Sequence, residues 1–394
     1  MSLLAALLAV SDARRFDPAP LREALSHSNP AVRRQGALAA GRIGDVTAVD
    51  LLLPALNDSA AVVQAAAAFA LGLLKDARAI PALLLSAQGG QIEAVTAIAK
   101  IGGDDGARVI SDIIASAPAE ATAPVVHQAL LESWRLGARA PVSQLVRFAD
   151  AGAPATSWRA IYALARLRSP QGAASLIRGL ADPDPQSRSV AARGISNALL
   201  DSARIDARAA IEALRPLLGD PDPHIRVNAL RALASFRDSS VANVVASLVA
   251  DRDIGVAVQA ETTLGVIRGA VAIQTLRGRL TSPVFAIKRQ AVIALAQADS
   301  AAGVAAAAAI TRDADWRWRS VAAEAFGAAR ARAARSTAGG PGWPRRSAGA
   351  AGVATHRSRD GLVPSRARAR AAHPYRPRGA QRRRRSPRPP SHDR

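Results

Sequence analysis

The sequence predicts an all-α protein: an α-solenoid of about ten stacked helix pairs followed by a disordered C-terminal tail. Three observations predict it. A phrase recurs roughly every 31 residues, its apolar residues keep helical spacing, and the excess of charge is confined to a low-complexity end. The phrase is a turn rich in Asp, Asn and Pro, then an apolar residue, often an Arg, then an Ala-rich run closing near Gly. With Val32 as anchor, the equivalents are Val63, Gly90, Val125, Trp158, Ser187, Ile225, Val256, Ile287 and Trp318. The intervals are 31, 27, 35, 33, 29, 38, 31, 31 and 31 residues.

Residues 1–14 form an N-terminal helix or cap. The run Leu3 to Val10 has the apolarity of a signal-peptide core, but no basic segment precedes it and its cleavage site is poor. A first amphipathic helix is the preferred reading. No apolar stretch approaches the roughly 18–20 residues of a membrane span. A cytoplasmic location is favoured.

Residues 15–330 form the solenoid. Each unit opens with a segment such as Leu21 to Leu25 or Ile211 to Leu218, apolar at i, i+3, i+4 and i+7, which gives one sticky stripe. The turn then restarts a helix. Asn29, Asp184, Asp222 and Ser282 are N-caps, and the Pro after each suits the first helical position, where no donor is needed. Gly41, Gly44, Gly72 and Gly102 fall near helix ends, where a left-handed residue is commonly required. The 38-residue interval is expected to hold a longer loop, Leu200 to Asp206.

Counting from the anchor, position +4 is nearly all Ala, with Tyr162 in the fifth unit, and position +8 is mostly large: Leu71, Ile98, Ile195, Leu233, Leu264, Leu295 and Phe326. Positions 0, +4, +8 and +11 share the buried side. One pair cannot cover its apolar face alone; stacked pairs share a core.

This pattern resembles the HEAT repeat, in the short bacterial form related to phycobilin-lyase HEAT-like repeats. The resemblance implies a right-handed superhelix that mediates protein–protein contacts through a concave face lined by second helices. Its mark is an Asp in the turn six residues before a basic residue: Asp182/Arg188, Asp220/Arg226 and Asp313/Arg319. In the family such residues build a structural ladder between units. Asp58, followed by Gln64, and Asp251, followed by Ala257, depart from it.

Enzymatic chemistry finds little support. There is no Cys, which removes thiol catalysis, disulfides and thiolate metal sites. His27, His127 and His224 lie about a hundred residues apart, and no nucleophile-elbow, zinc-helix or phosphate-loop motif is present. The expectation is no catalytic residue, no metal and no cofactor. The segment Asp313 to Arg319 resembles the Trp, Asp and Arg of HEAT-like DNA glycosylases. Packing of Trp318 and pairing of Asp313 with Arg319 is the preferred reading. Segments 37–45 and 68–76 resemble HEAT arrays found beside cyclophilin-type peptidyl-prolyl isomerases, so a portion of such an enzyme is one alternative.

The candidate site is a ridge. Positions +3, +6 and +10 lie opposite the apolar side. They carry Gln35, Glu93, Gln128, Asn228, Gln259 and Gln290 at +3. Arg193, Arg231, Thr262 and Glu324 stand at +6, and Arg42, Lys100, Arg135, Arg168 and Gln297 at +10. Such a ridge suits another protein with an extended or acidic segment.

The tail, 331–394, holds 17 Arg against Asp360 and Asp393, for +15 of the total +21. Among Leu, Ile, Val and Phe it has only Val353, Leu362 and Val363, too few to offset its conformational entropy. As a basic arm it would bind nucleic acid through phosphates, salt-dependently. Its Arg, Ala, Pro and Gly composition also fits shifted-frame translation of a GC-rich gene, the reading preferred here. The body, with 35 basic against 29 acidic residues, is nearly balanced.

Overall fold

The computed structural model describes residues 2–338, the last seven as helical backbone alone. The Arg-rich tail from 339 onward, with the expectations placed on it, lies outside the described residues. Every regular element among the described residues is helical. The order is an N-terminal helix, Leu3–Asp12, and ten helix pairs, with one extra helix, Asn197–Ala203, between the sixth and seventh pairs.

The second helices are Pro30–Ile43, Ala61–Leu74, Ile92–Ile101, Pro124–Glu132, Ser157–Leu167, Pro185–Gly194, Pro223–Phe236, Ile254–Ile267, Phe285–Ala298 and Trp316–Ala338. Each packs on the next along the array, from the first pair to the tenth. The first helices are mostly shorter, and several are entered through a 3-10 turn such as Val46–Ala48 or Ala77–Ala79. Leu3–Asp12 covers the start of the array, burying Leu7 and Val10 against the first pair.

Caps define the ends. Asn29, Asp184 and Asp222 accept from backbone N–H groups two residues on, with Pro at the first helical position. Ser282 differs: its hydroxyl accepts from Val284 N–H at 3.2 Å, and the helix starts at Phe285, so Pro283 stays in the turn. Second helices commonly close on a left-handed residue: Gly44 (φ 79°), Lys75 (φ 54°), Arg168 (φ 51°) and Arg237 (φ 55°). All described non-glycine residues with positive φ are Arg or Lys. Their charge opposes the negative end of the helix dipole, which offsets the cost of that backbone for a residue with a β-carbon.

Packing separates two small-residue columns. Position +4 faces the first helix of its own unit: a β-carbon on Gly36 would lie 2.8 Å from Ala24 Cβ. Contact between units uses +9 against +7 of the next unit. A β-carbon on Gly41 would stand 2.8 Å from Ala70, on Gly72 2.9 Å from Ala97, and on Gly265 2.9 Å from Ala294. Gly41 and Gly72 are therefore interior helical residues that admit a neighbouring backbone, not left-handed caps as expected.

The same contact corrects the register. In the fifth unit the residue opposite Gly194 is Ala165, which places the anchor at Thr156 rather than Trp158. Thr156 is fully buried and Trp158 half-buried, and Ala160 and Leu164 take the +4 and +8 positions in place of Tyr162 and Arg166. Thr156 lies 31 residues after Val125 and 31 before Ser187, so the period is stricter than the sequence reading held. Gly90 keeps its register but lies in the turn at φ 92°, and the third second helix starts only at Ile92. Two boundaries also move. The expected loop at Leu200 to Asp206 is largely the helix Asn197–Ala203, capped by Ser196 and closed by left-handed Arg204. Position 330 falls within the helix Trp316–Ala338, whose Ala- and Arg-rich end favours helix.

Candidate partner-binding ridge

Positions +3 and +6 meet across successive second helices at two places, and Asn228 at +3 reaches position +2 of its neighbour. Gln128 Nε2 donates to Thr96 Oγ1 at 2.8 Å, and Arg231 Nε to Gln259 Oε1 at 3.1 Å. Asn228 Nδ2 donates to Ser189 Oγ at 3.0 Å. Gln35, Glu93, Gln290 and Gln297 are half-buried in the same rows, and Arg42, Arg193 and Arg231 are exposed.

The +10 row is the most informative, once the fifth unit is in register. It reads Arg42, Leu73, Lys100, Arg135 and Arg166 through the first five units. Arg168, expected in this row, is the left-handed cap two residues beyond it. Lys100 lies over the Phe69 ring, 4.5 Å from its centroid. Arg135 pairs with Glu132 and lies 4.6 Å from the centre of Trp134. Arg166 lies 3.8 Å from the same ring centre and 5.9 Å from that of Tyr162. Beyond it, Tyr162, Arg166, Arg168, Val190 and Arg193 line a hollow of about 330 Å³. Five cations thus follow one another, with Glu132 the one carboxylate paired to them among the described residues. Burial, and then the charge of Arg135, pull the Lys100 pKa below its ordinary value. That is the mark of cations held close together in partly dry surroundings.

Next to this basic stretch the ridge is apolar. Position +6 of the second unit is Phe69 and position +10 is Leu73, 43% and 40% exposed, with Val62 at 55%. Arg34, Leu38, Val62, Ala65, Ala66 and Phe69 line a hollow of about 370 Å³ between the first two second helices. The sequence reading missed Phe69, Leu73, Trp134 and Arg166. The first two follow at once from applying +6 and +10 to the second unit; Arg166 needed the anchor at Thr156.

The Asp and Arg residues of the turns hold the ridge in place. Arg188 Nη1 donates to the carbonyls of Asp182 and Pro183 in its own turn, while Nε donates to the Asp220 carboxylate of the next unit at 2.8 Å. Arg226 repeats this with the carbonyls of Asp220 and Pro221 and, at 2.8 Å, the Asp251 carboxylate. Arg33 does the same with His27, Ser28 and a two-pronged pair to Asp58. The hydrogen bond from Arg33 holds the Asp58 carboxyl below its usual range. Asp and Arg at the six-residue spacing thus touch through the Asp carbonyl, and of these Asp residues it is Asp220 whose carboxylate serves the unit before. The expected side-chain pair of Asp313 and Arg319 is replaced in this way: Arg319 donates to the Asp313 and Ala314 carbonyls, and Asp313 accepts from Asp315 N–H. Trp318 packs on Phe285 with ring centres 4.7 Å apart, while Trp316 is 68% exposed.

No group of three His, Asp or Glu residues among the described ones is arranged to hold a metal ion. No described helix is long and apolar enough to cross a membrane.

Comparison with known proteins agrees with this architecture. Residues 18–99 and 176–265 match the family model of HEAT repeats. No curated protein sequence matches the chain. Among structures, a homology model of the full-length AP-3 complex in an intermediate open conformation aligns at 16% identity and TM-score 0.52, over 82% of this chain and 71% of that one. YibA of Escherichia coli aligns at 15% identity and TM-score 0.45, over 73% of this chain and 96% of that one. The karyopherin Kap121p, bound to the extreme C-terminus of the protein phosphatase Cdc14p, aligns at 14% and TM-score 0.46, over 81% of this chain and 43% of that one. The chain therefore spans less than half of the karyopherin. At 16% identity the likeness to the AP-3 model is one of fold alone.

Proposed function

Because residues 18–99 and 176–265 are HEAT repeats within one continuous helical array, we propose that the chain is a non-enzymatic scaffold that binds another protein along its second-helix ridge. The observation that carries the reading is the order of the ridge: an apolar hollow at Phe69, then cations from Lys100 to Arg193. Exposed apolar side chains beside a single-sign charge run are what a recognition surface needs, since burial supplies affinity and charge supplies orientation and rate. The partner that fits is an extended segment with one or two large apolar side chains followed by Asp or Glu residues.

Close approach of the second helices supports placing this ridge on the inside of the array. Gly41, Gly72 and Gly265 let those helices nearly touch, and a layer packed more tightly than its companion lies on the inner side of a bend. Polar cross-links such as Gln128 with Thr96 keep the row of cations in register.

The test is fluorescence anisotropy with a labelled peptide bearing Leu-Phe followed by six Glu, against the same peptide with six Gln. Binding of the acidic peptide alone, weakened at least tenfold by Arg166→Glu with Arg193→Glu, is expected. Equal binding of both peptides, or indifference to the double variant, would reject the ridge.

A further inference from the structure

The last second helix, Trp316–Ala338, presents to its far side the groups that earlier second helices use to hold the next unit. Three positions show it. Arg319 corresponds to Arg33, Arg188 and Arg226, each of which binds its own turn carbonyls and the next unit's Asp. Arg319 keeps the carbonyl half of this arrangement but is exposed, and among the described residues its hydrogen bonds go to those carbonyls and not to a carboxylate. Gly327 corresponds to Gly41, Gly72 and Gly265, which admit an Ala of the next helix at 2.8–2.9 Å; a β-carbon on Gly327 would meet nothing within 4 Å among the described residues. Phe326 stands in the column of Leu71, Ile98, Leu233, Leu264 and Leu295, all at most 1% exposed, yet it is 36% exposed.

We propose that this face is a docking site for one further helix pair of HEAT type. The internal repeats state its chemistry. It offers an Asp in the inter-helix turn to Arg319, an Ala against Gly327, and an apolar surface over Phe326. The chain's own continuation at the 31-residue period has Pro344 in place of the Asp, His356 in place of the Ala, and Arg357 in place of the apolar +8 residue. A second copy stacked head to tail is also a poor occupant, because its leading face is covered by Leu3–Asp12 through Leu7 and Val10.

The experiment inserts a second copy of residues 268–298 into the full chain after Ala329, with Ser282→Asp in the inserted copy. Ala329 is the counterpart of Ile267, so the insert meets Gly327 as Ala294 meets Gly265. The thermal midpoint is expected to rise by about 3 °C. Gly327→Leu is expected to abolish the rise, and Arg319→Met to reduce it. Without the insert, Gly327→Leu leaves the midpoint unchanged or slightly higher, since Gly is a poor helix former. No rise, or a rise indifferent to Gly327→Leu, overturns the proposal. So does a dimer of the unmodified chain in sedimentation velocity that Gly327→Leu dissolves, which would make the occupant a second copy.

Discussion

Arg226 and Asp251 belong to neighbouring units 25 residues apart in sequence, and their side chains meet at 2.8 Å with 6% and 9% of their surface exposed. Arg226 also ties down two carbonyls of its own turn, so one guanidinium joins two units. Removing one partner from a buried pair leaves an uncompensated charge. Asp251→Ala is therefore expected to lower stability by about 3 kcal/mol, whereas Arg226→Met with Asp251→Leu costs much less. Urea unfolding followed by circular dichroism measures both.

Carboxylates of the turns and the buried Glu261 give opposite pH dependence. At Asp251 burial works to raise the pKa, and the bonds from Arg226 and the Asp253 N–H outweigh it, leaving it below the usual 3.8. Asp58 is lowered first by its Arg33 hydrogen bond. Such groups contribute stability above about pH 4 and lose it as pH falls through their lowered values. Asp58→Asn should cost stability at neutral pH and little at about pH 2, read by urea midpoints.

Glu261 is fully buried, meets Arg279 at 3.1 Å through one oxygen, and has no hydrogen-bond partner for the other among the described residues. Burial raises its pKa to about 7, against the pull of Arg279. A raised acid contributes stability in full below its ordinary value and loses it as pH rises through 7. The urea midpoint should fall between about pH 5 and pH 8, and Glu261→Gln should flatten that fall.

Close packing between second helices gives a steric test. A β-carbon on Gly72 would sit 2.9 Å from Ala97 Cα, a backbone atom that has no rotamer to change. Gly72→Val is expected to destabilise the array by about 2 kcal/mol, with the loss concentrated in the second and third units. Hydrogen exchange resolved by peptide would locate it.

The two halves of the ridge should separate by salt. With the acidic peptide, Arg166→Gln lowers affinity and also the steepness of its decline with ionic strength. Phe69→Ser lowers affinity and leaves that steepness unchanged, because the Phe69 contribution is burial of apolar area. Titrations at three salt concentrations distinguish the two.

The architecture was legible because a 31-residue repeat writes the same physical demand ten times. Asn29, Asp184 and Asp222 announce helix starts, and Ala67, Ala191 and Ala260 announce close packing within a unit. Less was legible where one residue type serves two purposes. Gly41 reads as an end signal, yet it is a contact with Ala70; nothing local distinguishes the two uses. Trp158 looks like an anchor because it is large and apolar, while the true anchor, Thr156, is small and satisfied by the carbonyl of Ala119 at 2.6 Å. That two-residue slip hid Arg166 from the ridge. The ion pairs between turns escaped because the partner of Arg226 lies in the following unit, at Asp251, and not in its own turn.

The Arg–Asp clasps are unevenly placed. They join the first unit to the second at Arg33–Asp58, and the sixth, seventh and eighth at Arg188–Asp220 and Arg226–Asp251. Between the second and sixth units the turns hold no such clasp among the described residues, and that is the stretch carrying Lys100, Arg135 and Arg166. The units there are joined instead by hydrogen bonds such as Gln128 to Thr96 and Thr156 to the Ala119 carbonyl, and these set the spacing at which the cations meet the charges of a partner.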